Sequence, residues 1–252
     1  MASMAKLIEH PNHIELILNR PESLNALSTP MLMEIAATLR EAEASPCAVM
    51  VMRGEGRAFC VGADLKERQK GMSLEAYLME RVLTFQKITS VLRGTEKIII
   101  AALHGYVIGG GLIMSLYADL RIAAAGTSFR LPEVDVGSTM LGGGYKVLID
   151  CVGLSMTKEL LLLGEAISSE RAERIGLINY AVAPDELNVV VDRYVEKLSA
   201  KDPVALKLIK RAAARTPDTG FEEMQLREII DACLNHYSAS GKVNHTLEHQ
   251  LR

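Results

Sequence analysis

Two glycine-rich turns and one isolated carboxylate are the parts of this chain best placed to do chemistry. In residues 97–137, KIIIAALHGYVIGGGLIMSLYADLRIAAAGTSFRLPEVDVG, an apolar run (98–103) passes through a turn carrying Gly105, Gly109, Gly110 and Gly111 into a helical segment (112–118). Glycine lets a backbone bend tightly and approach a ligand closely, and a helix starting there leaves unpaired N–H groups facing the turn. Such donors suit an oxygen that gains negative charge during a reaction. A second turn of the same kind lies upstream, where RAFCVGADLK (57–66) leaves another apolar run (48–52). Packing alone explains a lone triple glycine, whereas two such turns allow two amides to grip one oxygen. Glu133 follows Pro132 downstream; on its own it reads as a surface-loop carboxylate, and beside such an oxygen it could move a proton.

The elements that must position these turns follow from periodicity. Residues 13–18 read as an opening strand and 19–22 as the turn after it. Thr29 reads as an N-cap with Pro30 in the first turn, and Leu32, Ile35, Leu39 and Ala42 recur at helical spacing. The turn at 57–66 is expected to lead into a helix near Asp64, where an acidic residue suits the positive end. After a break at 71–73, residues 74–91 form a long amphipathic segment with Leu74, Tyr77, Leu78, Val82, Phe85 and Ile88 on its apolar face. It covers the site or simply the core. Gly142, Gly143 and Gly144 open a further helix, and 156–163 another. Ser168 or Ser169 can cap a helix that Gly176 ends, and 178–182 read as a strand. Helices then start at Pro184, Asp202 and Phe221, the last with Phe221, Met224, Ile229, Cys233 and Tyr237 spaced for burial. Repeated strand, turn and helix argue for an α/β body with a helical tail and leave the sheet topology open.

Composition narrows the function classes. The 252 residues, 49% hydrophobic and 23% charged, fit a globular protein of one large or two small domains. No apolar run approaches the ~20 residues that span a bilayer. The first residues lack the basic and apolar regions of a secretory signal, so a cytoplasmic location without membrane attachment is expected. Cys47, Cys60, Cys151 and Cys233 show no CxxC spacing and read as buried thiols in a reducing compartment. The net charge of −3 gives no bulk attraction to nucleic acid, and the basic cluster Lys207, Lys210, Arg211 and Arg215 reads as a solvated helix face. His245 and His249 stand four apart without a third ligand, so no metal is expected. P-loop, dinucleotide and GxSxG signatures are absent.

Taken together and in order, NRP (19–21), LNAL (24–27), residues 59–66, 104–111, DLRIA (119–123), LPE (131–133), ISS (167–169) and GLI (176–178) resemble the crotonase superfamily, the enoyl-CoA hydratase and isomerase group. The resemblance covers nearly the whole chain. It implies an α/β fold, a crotonase-type spiral of repeated ββα units over 1–195, and a C-terminal helical trimerisation extension over 196–252 that builds a homotrimer or a dimer of trimers. It also implies an acyl-CoA or acyl-carrier thioester as ligand, with coenzyme A belonging to the substrate and no separate cofactor. The oxyanion donors then fall at the amides of Ala63 and Gly110, and the acid/base at Glu133. Contacts to the thioester carrier fall at Leu24, Ala26, Ala63, Asp64, Leu65, Lys66 and Gly110.

Hydratases of this group look for two glutamates, and here Ile113 stands where the first would sit. One carboxylate beside an apolar wall can still shuttle a proton, and a raised Glu133 pKa would suit that task. The pattern resembles Δ3,Δ2-enoyl-CoA isomerases, so double-bond isomerisation is favoured. A one-glutamate hydratase and an acyl-CoA decarboxylase are the alternatives on the same fold, and an inactive scaffold or RNA-binding crotonase is the alternative of another class. Asp135 resembles part of the dienoyl-CoA isomerase branch, but that branch's further aspartate would fall at Leu141. Tyr106, Tyr117, Tyr145, Ser138 and Thr139 could lend a hydroxyl, although each reads as structural. The GGGYK turn at 142–146 and the ending at 240–252 also depart from the family pattern.

Overall fold

A computed structural model of the protein describes residues 3–67, 73–215 and 218–238. Gly71, Met72, His245, His249 and the ending at 240–252 lie outside them, as do the side chains of Leu74, Arg215, Cys233 and Tyr237. The chain divides into two compact units, 1–199 and 200–252. The first contains β1 (Ala5–Glu9), β2 (Ile14–Leu18), α1 (Thr29–Ala44), β3 (Val49–Gly54), α2 (Leu74–Gly94), β4 (Ile98–Leu103) and β5 (Tyr106–Ile108). It continues with α3 (Gly110–Ser115), β6 (Leu120–Ala124), β7 (Ser128–Arg130), α4 (Gly144–Leu163), β8 (Ile167–Ser168), α5 (Ser169–Arg174), β9 (Tyr180–Val182) and α6 (Leu187–Ser199). The second holds α7 (Pro203–Arg215) and α8 (Phe221–Ser238). No helix among the described residues is long and apolar enough to cross a membrane.

A six-stranded sheet in the order β1-β2-β3-β4-β6-β9 forms the centre, parallel except for the β1–β2 hairpin. Strand β4, IIIAAL, is buried at every position, as a parallel strand covered on both faces must be. Alternation then sorts its neighbours. Met50, Met52, Ile99, Ala101 and Leu103 enter the larger core with Leu32, Ile35 and Leu39 of α1 and Phe85, Ile88 and Leu92 of α2. Val51, Ile100 and Ala102 face the other way, onto Leu187, Val191 and Val195 of α6.

The chain turns a corner where it passes from the six-stranded sheet into the second sheet. Between β4 and β5 the corner is Gly105, where a Cβ would lie 1.9 Å from the Arg57 carbonyl oxygen, so only glycine lets the two chain segments meet. Beyond the corners, β5 pairs in parallel with β7, and β7 antiparallel with β8, as a second, three-stranded sheet. Val107 of β5 also bridges to Cys60, which ties the turn after β3 to this second sheet.

Several expectations are corrected in detail. The chain opens with β1, whose register runs Ala5↔Leu18 to Glu9↔Ile14; its mixed Lys, Leu and Glu pattern is the half-exposed one of an edge strand and carries little apolar signal. The N-cap of α1 is Ser28, whose hydroxyl accepts from the Met31 amide at 3.4 Å, one residue before Thr29. No helix starts at Asp64, because its carboxylate accepts from the Lys66 amide at 3.0 Å and turns the chain on itself. Helix α2 starts at Leu74 behind an N-cap at Ser73, and its apolar face is covered only in its second half, leaving Leu78 exposed. Gly153 breaks the geometry of α4 internally, which joins two expected helices into one kinked element. Among the described side chains of α8 only Met224 is buried, whereas Phe221 and Ile229 are 77% and 62% exposed.

The close approach at Gly111 gives a direct test. A Cβ there would lie 2.6 Å from Cys60 Cβ and 2.7 Å from the Cys60 carbonyl oxygen. Gly111→Ala should therefore cost about 1–3 kcal/mol in urea denaturation, as overpacking does. Gly94→Ala, with nothing within 4 Å, should stay within about 0.5 kcal/mol of the parent.

Candidate active site

The two glycine turns meet. A Cβ on Gly62 would come within 2.8 Å of the Ile108 carbonyl oxygen and 3.3 Å of the Gly110 nitrogen, and one on Gly109 within 3.9 Å of Gly62 Cα. Gly62 and Gly109 have φ of +81° and +49°, a region closed to most side chains, so glycine is needed there twice over. Ladder bonds hold the approach, with the Ile108 amide donating to the Cys60 carbonyl at 2.9 Å and the Gly109 amide to the Arg130 carbonyl at 2.9 Å.

The amides next to these contacts are left without acceptors. Leu27 bridges in parallel to Ala63 by donating to the Gly62 carbonyl at 2.7 Å and accepting from the Asp64 amide at 3.2 Å. Those bonds use the residues flanking Ala63, so pleating turns the Ala63 N–H to the opposite side. Gly110 opens α3, and its N–H is one of the donors that a helix cannot satisfy internally. Among the described residues neither amide donates to another group.

Glu133 lies against the same turn, its Oε1 3.4 Å from the Cβ position of Gly109. Its Oε2 is buried and has no hydrogen-bond partner among the described residues. Burial holds the carboxyl above the ordinary glutamate value of 4.5. Ile113 is 2% exposed and packs by Cγ2 3.2 Å from the Cβ position of Gly144, beside Met140. Phe85 of α2 lies 3.5 Å from the Cβ position of Gly110, so the second half of that helix sits over the turn.

The other residues expected at the site are placed around the first turn. Leu24, at φ +51°, accepts from the Val61 amide at 3.2 Å, and Ala26 is buried. Asp64 is held by Arg20, whose Nη1 donates to its Oδ2 at 2.6 Å. Leu65 and Lys66 project outward and are exposed. Asp135 is held by Arg130, which donates to it from Nη2 at 2.7 Å and from Nε to the Gly164 carbonyl at 2.6 Å. Tyr117 donates to the Gly142 carbonyl, Tyr145 and Thr139 bond each other at 2.6 Å, and Tyr106 and Ser138 are exposed. Cys60 is fully buried with its thiol pushed up to about 12 by that burial, so it packs and does not attack.

Supporting residues that the sequence did not single out lie behind these. Asn25 is fully buried and donates to the Glu55 carbonyl at 2.9 Å and the Ala58 carbonyl at 2.8 Å, while its Oδ1 accepts from the Arg20 amide at 2.7 Å. Glu67 accepts from the Thr29 amide at 3.0 Å, from the Tyr77 hydroxyl at 2.9 Å and from Arg81, which also donates to the Leu27 carbonyl at 2.8 Å. That network pins α2 to the start of α1 and to the strand segment beside Ala63. The asparagine in LNAL was a usable signal; the Glu67–Arg81 pair spans a gap no local pattern reports.

Comparison with known proteins identifies the family of the chain. The sequence matches the enoyl-CoA hydratase/isomerase family over residues 10–247. It is 35% identical over 209 residues to the crotonyl-CoA hydratase of Syntrophomonas wolfei, covering 82% of this chain and 80% of that one. It is 35% identical over 227 residues to the (E)-benzylidenesuccinyl-CoA hydratase of Thauera aromatica, covering 87% and 86%. Among solved structures, an enoyl-CoA hydratase from Bacillus anthracis superposes with a TM-score of 0.85 at 29% identity over 91% of this chain and 89% of that one. A putative enoyl-CoA hydratase from Thermobifida fusca, solved with acetoacetyl-CoA, superposes at 0.86 with 25% identity over 94% and 96%.

The burial of Glu133 makes a prediction that needs no substrate. Its side chain, followed by carboxyl carbon NMR against a Glu133→Gln background, should titrate above 4.5. Because the folded pKa is raised, the ionised carboxylate costs stability that appears as pH climbs past 4.5, so Glu133→Gln should gain on the parent there and match it below. A midpoint at or under 4.5 would put the carboxylate in bulk water.

Proposed function

The chain belongs to the enoyl-CoA hydratase/isomerase family, and from that premise we propose that it moves a proton on an enoyl-type acyl-CoA thioester with Glu133 as its only acid/base carboxylate. The thioester oxygen rests between the amides of Ala63 and Gly110. When Glu133 removes a proton from C2 of a 3-enoyl thioester, the C–H electron pair forms a C1–C2 double bond and the carbonyl pair moves onto that oxygen, giving a dienolate conjugated with the C3–C4 double bond. Returning the proton at C4 shifts the double bond. Removing one donor from such a hole typically costs about 10²–10³ in rate, which sets the weight the two amides carry.

The observation that carries this reading is Ile113. It is a buried hydrocarbon at the sequence position where the family pattern has its first glutamate, and Glu133 Oε2 has no hydrogen-bond partner among the described residues; both favour proton transfer by one carboxylate over addition of a held water. Hydration by a single glutamate is the second reading, favoured by relatives that are named hydratases. The acetoacetyl-CoA bound in the Thermobifida structure supports a CoA thioester as ligand. Leu24, Ala26 and the segment from Ala63 to Lys66 would line the carrier.

We further infer that the protein works as a trimer or dimer of trimers. Helix α8 leaves Phe221, Leu226, Ile229, Ile230 and Leu234 exposed by 49–77%, an apolar face suited to a second copy. Light scattering should then give a mass of three or six chains.

Incubation with 3-enoyl-CoA and 2-enoyl-CoA in deuterated water tests the reaction. Deuterium should enter the acyl chain, with the two isomers interconverting and no hydroxyacyl product accumulating; water addition as the main outcome would select hydration instead. Glu133→Gln should lower kcat by about 10²–10⁴, the range of a positioned acid/base. Gly62→Ala, which pushes on Ile108 and Gly110, should lower kcat by about 10²–10³, as loss of a donor would, while the fold persists by circular dichroism.

A further inference from the structure

His10, His13 and Glu15 stand together at the hairpin between β1 and β2 and take no part in the thioester chemistry. The His10 amide donates to the His13 carbonyl at 2.9 Å, and the closed turn stacks the two imidazoles with ring centres 4.3 Å apart. Alternation along β2 sends Ile14 and Leu16 into the larger core and Glu15 to the opposite face of the sheet, the α6 side. There His10 Nε2 lies 3.6 Å from Glu15 Oε2, and His13 Nε2 lies 3.7 Å from Glu15 Oε1. Both gaps are too long for a direct hydrogen bond. His10 Nε2 is buried and has no hydrogen-bond partner among the described residues.

The protonation pattern sharpens the picture. His13 Nδ1 is 2.9 Å from Asn12 Oδ1, which can only accept, so Nδ1 carries the proton. The neutral ring therefore turns the lone pair of Nε2 toward a carboxylate, an unfavourable pairing unless a cation lies between them.

We propose that His10, His13 and Glu15 form a binding site for a divalent transition-metal ion of the zinc, cobalt or nickel class. A tetrahedral ion bonded to nitrogen and oxygen at about 2.0–2.2 Å holds its ligand atoms about 3.3–3.6 Å apart, which is the spacing of His10 Nε2 and Glu15 Oε2, while His13 Nε2 stands 3.7 Å from the other oxygen of the same carboxylate. The three ligand atoms already lie within 4.8 Å of one another, and His10, the more exposed ring, can close the remainder. Imidazole and carboxylate are the donors such ions accept. Ligating groups need outer partners, and two are in place: Asn12 on His13 Nδ1, and Arg53, whose Nε donates to Glu15 Oε1 at 2.7 Å and leaves Oε2 for the metal. The cluster lines a groove of about 950 Å³ that also carries Asp192 and Glu196, acidic groups along a path of entry.

Titration of the untagged full chain with Co²⁺, followed by visible absorption, and with Zn²⁺, followed by competition against a chromogenic chelator, tests the site. One equivalent should bind saturably, His13→Ala, His10→Gln and Glu15→Gln should abolish that binding, and Asn12→Ala should weaken it by about 10–100-fold. The His245→Ala/His249→Ala double variant should bind as the parent does. Urea denaturation and thioester turnover, both expected to be retained in His13→Ala, show that the loss is local. Absence of saturable binding in the parent, undiminished binding in His13→Ala or His10→Gln, or loss only in the His245/His249 variant would each overturn the proposal.

Discussion

The structure depends on one close backbone contact, the meeting of Gly62 with Gly109 and Gly110. Two chain segments can approach so nearly only where neither carries a side chain, and the positive φ of Gly62 and Gly109 closes both positions to most other residues. What fixes the contact lies outside it. The Leu27 bridge holds one turn from below, and the second sheet holds the other through β5 and the Cys60–Val107 bridge. That the amides of Ala63 and Gly110 donate to no group among the described residues is therefore a consequence of bonds made by their neighbours.

The rest of the first unit keeps that contact from relaxing. β3 and β4 run side by side in parallel, so the turns that follow them leave the same end of the sheet. The Gly105 corner sends the chain from β4 into β5, and only there do the turns converge. Asn25 and Arg20 brace the first turn from the side, and Glu67 with Arg81 clamps α2 across it. Half-buried ion pairs of this kind add little net stability but fix geometry, which the proposed grip of two amides on one oxygen requires.

Much of this was legible in the sequence, and the missing parts share a cause. Ile98–Leu103 declared itself as a buried strand by an unbroken apolar run, and the strand, glycine and helix order around both turns was visible. Glu133 was found by its place in a family motif; nothing in LPEVDVG says that its Oε2 is buried. The three-residue strands β5 and β7 were missed because their pairing is set by corners far apart in sequence. The expected helix at Asp64 failed because a short carboxylate bonded its own backbone first. His10, His13 and Glu15 lie within six residues, and what the sequence does not report is the turn that stacks the two rings beside the carboxylate.

The most direct test of the central claim is the infrared stretch of a carbon-13-labelled thioester carbonyl in a bound, non-reacting enoyl-CoA analogue. If the amides of Ala63 and Gly110 both donate to that oxygen, the band should move to lower frequency on binding, and Gly62→Ala should return it most of the way to its position in water. A carbonyl that absorbs at its aqueous frequency in the parent protein, with the ligand demonstrably bound, would contradict the account.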